Sequence, residues 1–557
     1  MIMNKLKNSF IIALTLVFTL VISCKDLDEL NVNPNGVDPK VADLNLLMPT
    51  IITGVGQTVV SLGFGDIAGV MQHTQQDGWS SGHNDYDWDN KSNNWTNYYA
   101  ILRNVDEYYK KAVDGDYKFH QGVALVMRAY TYGLITDLWG DAPYSEALQA
   151  EPPAEIFKPK FDPQKDIYLG ILADLDAANL LLSDNNESYK NVMAGQDVLY
   201  SGDAGKWRKF ANSLALRYYL RLSKKEPGIA EEGIKKITSD LATYPIITSA
   251  SDDASIPYFG TSSTDSWPSN TVYDNSPSGA YMRTKMCATL VDTLQKLNDP
   301  RLAVWANKIE IPLKLVAGED VDEIIDGVRN ISQDVADDYE NVWKLSIDYD
   351  PEYVGIPASV FAAPQYNLNP NIEQGVYNPH ASQLNDMYKE PNGSLLKMRL
   401  MSAAEVNFIL SEAALNTWVS GNAEDYYNAG IQQSLKAWGV GASFNDYIGN
   451  ASFTGLESII EQKWIASWTA AAESWFDYRR TGLPNLQVNG PALGGSAKRD
   501  ALPLRFYYHY DNEIAKNTEN AEAAIEKLEP TEFKGTDVSN NSAWSKIWLL
   551  QGTGKPY

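Results

Sequence analysis

Gln121-Gly122-Val123-Ala124-Leu125-Val126-Met127-Arg128-Ala129-Tyr130-Thr131-Tyr132-Gly133-Leu134-Ile135-Thr136-Asp137-Leu138 is the stretch on which the fold turns. Counted from Val123, the residues Met127, Tyr130, Thr131, Leu134 and Leu138 fall at steps of +4, +7, +8, +11 and +15, the spacing of one α-helical face. Gly133 interrupts an otherwise good helix former and costs about 1 kcal/mol relative to alanine. A glycine at that point is read as permitting close packing by a neighbouring element.

The same period continues on both sides. Ile167, Ile171, Leu172, Leu175 and Ala178 form one apolar stripe within 166–182, and Trp207, Phe210, Ala211, Leu214 and Tyr218 form another. Ala404, Phe408 and Ala413 share a face, a second helix runs from about 423 to 437 after Gly421-Asn422, and a third spans about 455–471. The helical pairs at 95–138, 166–222 and 400–437 predict an all-α stack of helical hairpins, although no clean repeated sequence accompanies them. Helical scaffold is expected over about 46–245 and 400–480. Between them, residues 246–399 are rich in Gly, Ser, Asn, Asp and Pro, as in Gly260-Thr261-Ser262-Ser263-Thr264-Asp265-Ser266-Trp267-Pro268-Ser269-Asn270, and read as loop with few strands and a short helix at 281–297. Residues 481–557 are irregular again.

The 557 residues include 71 Asp or Glu against 46 Lys or Arg, a net charge of −25. That surface repels phosphate backbones, so nucleic acid is not an expected partner. The 44% hydrophobic content is that of a globular chain. Two cysteines, Cys24 and Cys287, leave no disulfide framework and no cysteine metal site. Lys5 and Lys7 precede an apolar run from Phe10 to Ile22, short of the ~20 residues of a membrane span, so residues 1–23 read as a signal peptide. No other apolar run reads as long enough to span a bilayer. The run ends in Val21-Ile22-Ser23-Cys24, like a bacterial lipoprotein cleavage site, which makes Cys24 the expected lipidated N-terminus. Residues 24–45 are expected to be a polar tether, and 46–557 a single domain.

Catalytic signatures are missing. The histidines His73, His83, His120, His380 and His509 show no metal-ligand spacing, and there is no HExxH or GxSxG. His73 and His83 read as solvated loop residues. Gly552-Thr553-Gly554-Lys555 has no following helix to make it a phosphate loop. No catalytic residue, no metal ligand and no cofactor is therefore assigned. His83-Asn84-Asp85-Tyr86-Asp87-Trp88-Asp89-Asn90 alternates carboxylates as calcium sites do but lacks the glycine and terminal glutamate of an EF-hand; structural calcium stays open beside the plainer reading of a solvated acidic loop.

The aromatics divide by context. Trp207, Trp464, Trp468 and Trp475 fit helical stripes and are expected in the core. Trp79, Trp88 and Trp267, with Tyr86, Tyr273 and Tyr281, sit among short polar residues. Such a ring either plugs its loop onto the body or stands in water as a platform for the apolar face of a sugar. Trp79, Trp88, Trp267, Tyr86 and Tyr273 are the candidate ligand-binding residues on the second alternative.

Several blocks resemble the SusD/RagB family of outer-membrane lipoproteins: Thr136 to Ala147 (TDLWGDAPYSEA), Gly202 to Leu214 followed by Leu216-Arg217-Tyr218, Asn298-Asp299-Pro300-Arg301-Leu302, Tyr353-Val354-Gly355-Ile356-Pro357, Ile460 to Trp464, Trp475 to Gly482 and Leu502-Pro503-Leu504-Arg505. Lys25-Asp26-Leu27-Asp28-Glu29, directly behind Cys24, looks like the surface-export signal of Bacteroidetes lipoproteins. The resemblance implies four tetratricopeptide-like helix pairs with a large irregular ligand-binding region. It implies a non-enzymatic, lipid-anchored protein on the outer face of the outer membrane, which captures glycan and delivers it to a SusC-type TonB-dependent transporter. It also implies that Trp139, Pro143, Trp207, Trp464, Trp475 and Arg479 are structural. Two other functions stand beside this one: a peptide- or protein-binding lipoprotein of the same transporter system, and a surface glycoside hydrolase with two converging carboxylates.

Overall fold

Helices begin where a short polar side chain can satisfy the first free amides. Asp43 accepts from the Asn45 amide (2.9 Å), Asp203 from Lys206 (3.1 Å), Ser402 from Glu405 (3.2 Å) and Asn422 from Glu424 (3.1 Å). They end where glycine takes a backbone other residues avoid, as at Gly140 (φ 96°) after Trp139 and at Gly482 (φ 76°) after Thr481. In the computed structural model these signals bound α1 (Leu44–Gly63), α2 (Thr96–Asp114), α3 (Lys118–Trp139), α4 (Gln164–Leu181), α5 (Ala204–Leu222), α6 (Pro227–Ser239), α7 (Ala403–Leu415), α8 (Ala423–Ala437), α9 (Leu456–Ala466) and α10 (Ala471–Thr481). The structure describes residues 43–78, 80–360, 362–371, 373, 375, 377–488, 501–534 and 539–557. The signal peptide, Cys24 and nearly all of the tether lie outside these residues.

The architecture is helical, and α2/α3, α4/α5, α7/α8 and α9/α10 follow one another as packed pairs. Gly133 lies where α3 meets α5: a Cβ there would stand 2.0 Å from the Tyr218 hydroxyl. Trp139, Trp207, Trp464, Trp468 and Trp475 are all buried in one apolar cluster that runs through the pairs. A smaller cluster, with Ile309, Leu313, Ile331, Tyr339 and Val354, supports the loop-rich region. Short sheets pin loops to the body: Thr74–Gln76 pairs with Thr284–Met286, Ala254–Pro257 with Lys397–Met401, and three strands join Leu313–Leu315, Val328–Ile331 and Asp322–Ile325.

Buried charges lock the pairs together. Arg221 joins Asp137 of α3 to Glu473 of α10, Arg217 joins Glu405 of α7 (2.7 Å), and Asp477 receives Lys463 (2.7 Å) and Arg480 (3.0 Å). Burial alone would raise the Asp477 carboxyl, but Lys463 and Arg480 outweigh it and hold the group well below the usual carboxylate range. Arg479 donates to the carbonyls of Asp137 and Leu504 (both 2.7 Å), fastening the C-terminal segment to α3.

Three expectations are corrected. The helix at 281–297 is broken into Ala280–Arg283 and Ala288–Lys296, because Thr284–Met286 pairs as a strand and the Cys287 amide donates to the His73 carbonyl (2.9 Å). The helix at 455–471 stops at Ala466 and restarts as α10 past Thr469, which holds a left-handed φ of 69°. Leu44–Val70 is, by length and composition, apolar enough to cross a membrane, yet more than half of the qualifying stretch is buried inside the protein.

Candidate functional site

The rings proposed as platforms come first. Trp88 is buried against Trp475 (5.1 Å between centroids) and Phe506 (5.2 Å), with its indole N–H on the Gly82 carbonyl (2.8 Å). Trp267 is buried among Phe64 (5.0 Å), Tyr388 (5.5 Å) and Tyr258 (5.7 Å), and its N–H meets the Ser269 hydroxyl (2.7 Å). Tyr86 is buried, and burial drives its phenol upward. Tyr281 is buried with its hydroxyl on the Leu384 carbonyl (2.6 Å). The platform expectation is therefore corrected at Trp88, Trp267 and Tyr86, which plug their loops onto the body. Trp79 lies outside the described residues. Tyr273 is 44% exposed.

His73 and His83, expected in solvent, are fully buried, and burial pushes their imidazoles down to about 3 and about 4. The acidic loop is used for its own architecture. Asp85 accepts from the Gly82 (2.6 Å) and Asp87 (3.1 Å) amides, and Asp89 from Ala543 (2.6 Å). Among the described residues no group of three or more His, Cys, Asp or Glu could hold a metal ion.

The surviving shelf is small. The Tyr273 hydroxyl donates to the Gly260 carbonyl (3.2 Å), which places Tyr273 beside Phe259, itself 50% exposed. Gln57 of α1 donates to the Thr264 carbonyl (2.6 Å), tying this loop to the rim of an open concavity of about 310 Å³. Its lining is Gln57, Thr58 and Ser61 from α1 and Asn93, Asn94 and Asn97 from the start of α2. Its floor includes Tyr98, Trp139 and Phe506. Asn97 reaches the Thr58 hydroxyl (3.3 Å), and Asn94 caps Thr96 (3.1 Å). The Trp139 indole N–H has no hydrogen-bond partner among the described residues. Among the described residues no carboxylate, histidine, lysine or arginine lines the concavity: amides and hydroxyls stand over an apolar floor, the mixture that binds a neutral polyhydroxylated ligand without charge. Apart from Tyr273, and Trp139 as a structural residue, none of these residues was singled out in the sequence. The Asn93-Asn94-Trp95-Thr96-Asn97 run carried the signal, but it also serves as a helix start.

The described residues thus form a helical-hairpin scaffold that carries a neutral, amide-lined concavity. Residues 40–509 match the SusD-like family, described as starch-binding associating with outer membrane, and the chain belongs to that family, one of outer-membrane nutrient-binding proteins. Among curated proteins none matches the sequence. Among solved structures, a chitin-binding protein is 23% identical with a TM-score of 0.68, covering 92% of this chain and 99% of its own. A SusD homolog from Bacteroides fragilis NCTC 9343 is 22% identical with a TM-score of 0.67, covering 90% and 100%. A SusD homolog from Bacteroides uniformis ATCC 8492 is 20% identical with a TM-score of 0.65, covering 91% and 99%. At these identities the likeness is one of fold.

Proposed function

We propose that the chain is a non-catalytic surface lipoprotein, anchored through Cys24, that captures polysaccharide or oligosaccharide at the concavity over Tyr98, Trp139 and Phe506 and passes it to a SusC-type TonB-dependent transporter. The observation that carries this reading is the neutral lining of Gln57, Thr58, Ser61, Asn93, Asn94 and Asn97 beside the exposed rings of Phe259 and Tyr273. Amides and hydroxyls exchange hydrogen bonds with sugar hydroxyls, and flat rings cover C–H faces. The name of the chitin-binding relative supports the same ligand class. The lack of a carboxylate among the described lining residues speaks against hydrolysis there, which needs two such groups on one glycosidic bond. Anchoring near a transporter raises the effective concentration, so a weak grip on a long polymer suffices.

Affinity electrophoresis in gels containing neutral polysaccharides, starch and chitin derivatives among them, tests the capture. The wild-type chain is retarded by at least one glycan, and the Asn93→Ala/Asn97→Ala and Tyr273→Ala variants migrate faster in that gel. Equal retardation of both variants refutes the site. Cys24→Ser releases the protein from the membrane fraction if the anchor is as proposed.

A further inference from the structure

On the other side of the first turn of α2 lies a second cleft, chemically unlike the first. It measures about 420 Å³ and runs between α2, the 143–161 loop and residues 512–517. Its walls are largely aromatic. Trp95 meets Phe161 (5.2 Å) and Tyr99 (5.6 Å) edge-on, and Phe157 stands at the rim, 73% exposed. The loop is held in place by Asn517, whose side-chain amide donates to the Pro159 carbonyl (2.7 Å).

Two cations face this apolar surface, Arg103 and Lys516. The Arg103 side chain is exposed and makes no ion pair or hydrogen bond with another described residue. The carboxylates at i+3 and i+4 that would ordinarily engage it are taken: Asp106 by Lys110 (2.6 Å) and Glu107 by Lys111 (3.6 Å). The Lys516 ammonium donates to the neutral Asn512 (3.3 Å) and lies close enough to Glu513 to feel its charge. The one carboxylate among the described lining residues, Glu513, is buried with its oxygens on the Trp95 (3.0 Å) and His509 (2.7 Å) amides, and burial raises it to about 7.

We propose that this cleft is a small-molecule site for a flat aromatic carboxylate, independent of the glycan concavity. The ring lies against Phe157, Phe161 and Tyr99, and the carboxylate takes the free guanidinium of Arg103, assisted by Lys516. A guanidinium fork matches a carboxylate in plane, while the aromatic walls take the flat ring. Inorganic phosphate would leave the aromatic walls unused. A neutral sugar would leave Arg103 without a counter-charge.

Titration of the full chain with ferulate, read by calorimetry, tests this. Saturable binding is expected, weakened about tenfold or more by Arg103→Gln, the effect of losing a charge-assisted hydrogen bond. Phe157→Ala is expected to weaken it as well, while Asn97→Ala leaves it unchanged. Both cleft side chains project into solvent, and equal melting temperatures confirm that the variants fold. Methyl ferulate binding as well as ferulate overturns the carboxylate contact, and glucuronate binding more tightly overturns the aromatic one. Loss of binding in Asn97→Ala moves the ligand to the other concavity, and no saturable heat at millimolar ferulate removes the site.

Discussion

Replacing Gly133 by alanine sets two well-separated energies against each other. On an exposed helix the change would stabilise by about 1 kcal/mol through helix propensity. In α3 the new Cβ would stand 2.0 Å from the Tyr218 hydroxyl oxygen and 2.4 and 2.8 Å from the ring carbons Cζ and Cε1. Ordinary contact begins near 3.4 Å, so the phenol must withdraw by more than an ångström. Tyr218 cannot swing into solvent: it is buried, packs on Tyr168 (6.1 Å) and belongs to the core between α3 and α5. Overpacking of this kind costs about 1–3 kcal/mol, and the depth of the overlap favours the upper half of that range. The net expectation is destabilisation by about 1–2 kcal/mol, read as a lower midpoint in thermal unfolding followed by near-UV circular dichroism. Gly228→Ala in α6 is the control, since a Cβ there meets nothing within 4 Å; its midpoint should be unchanged or slightly raised. Adding Tyr218→Phe to Gly133→Ala removes the nearest atom but not Cζ, so it recovers only part of the loss. A Gly133→Ala protein that melts above wild type would refute the close approach of α3 and α5.

Other outcomes follow from buried groups. Asp137→Asn removes one of the two carboxylates that Arg221 joins, leaving it with Glu473, and should cost about 1.5–3 kcal/mol, seen as a lower denaturant midpoint. His73 is held near pKa 3 by burial, whereas the unfolded chain takes up its proton near 6.5; stability is therefore complete above 6.5 and falls as the pH drops toward 3. Against His73→Gln, which cannot charge, the wild type should lose about 2–3 kcal/mol between pH 6.5 and 4.5, and a constant difference would contradict the burial. Trp267→Ala should lower the melting temperature, with a cost of about 3–5 kcal/mol, while Tyr273→Ala should leave melting unchanged and weaken glycan retention.

The scaffold was legible because helical periodicity is a local property. The stripe from Val123 to Leu138 lies inside α3, and Gly421-Asn422 placed the start of α8 within a residue. What failed needed partners distant in sequence. Nothing near Thr284 announces that Thr74–Gln76 will pair with it, and the break at Thr469 depends on a single left-handed backbone. The concavity was invisible for the same reason: Ser61 and Asn97 come from separate helices and meet only after α1 packs beside α2.

Trp88 and Trp267 fail as platforms for a reason that the hydrogen bonds make plain. A polar setting around a large ring suggests exposure only if those polar groups face water, and here they build the loops. Asn84 exchanges hydrogen bonds with the backbone of Gln76 (2.9 and 2.7 Å), and Asp85 gathers the Gly82 and Asp87 amides. Asn270 donates to the Trp267 carbonyl (2.6 Å), and the Trp267 amide donates to Pro391 (2.8 Å). Each loop consumes its own short polar side chains as turn-forming groups and needs one large apolar side chain to hold it on the body; the indole fills that role and finds an acceptor for its N–H. Polar groups remain free for a ligand where they project from regular helix, whose backbone is already satisfied. Ser61 on α1 projects in this way, and Gln57 and Asn97, each with its amide nitrogen donating to Thr264 and Thr58, still present their side-chain carbonyls, so ligand specificity should follow changes at those three positions rather than at Trp88 or Trp267.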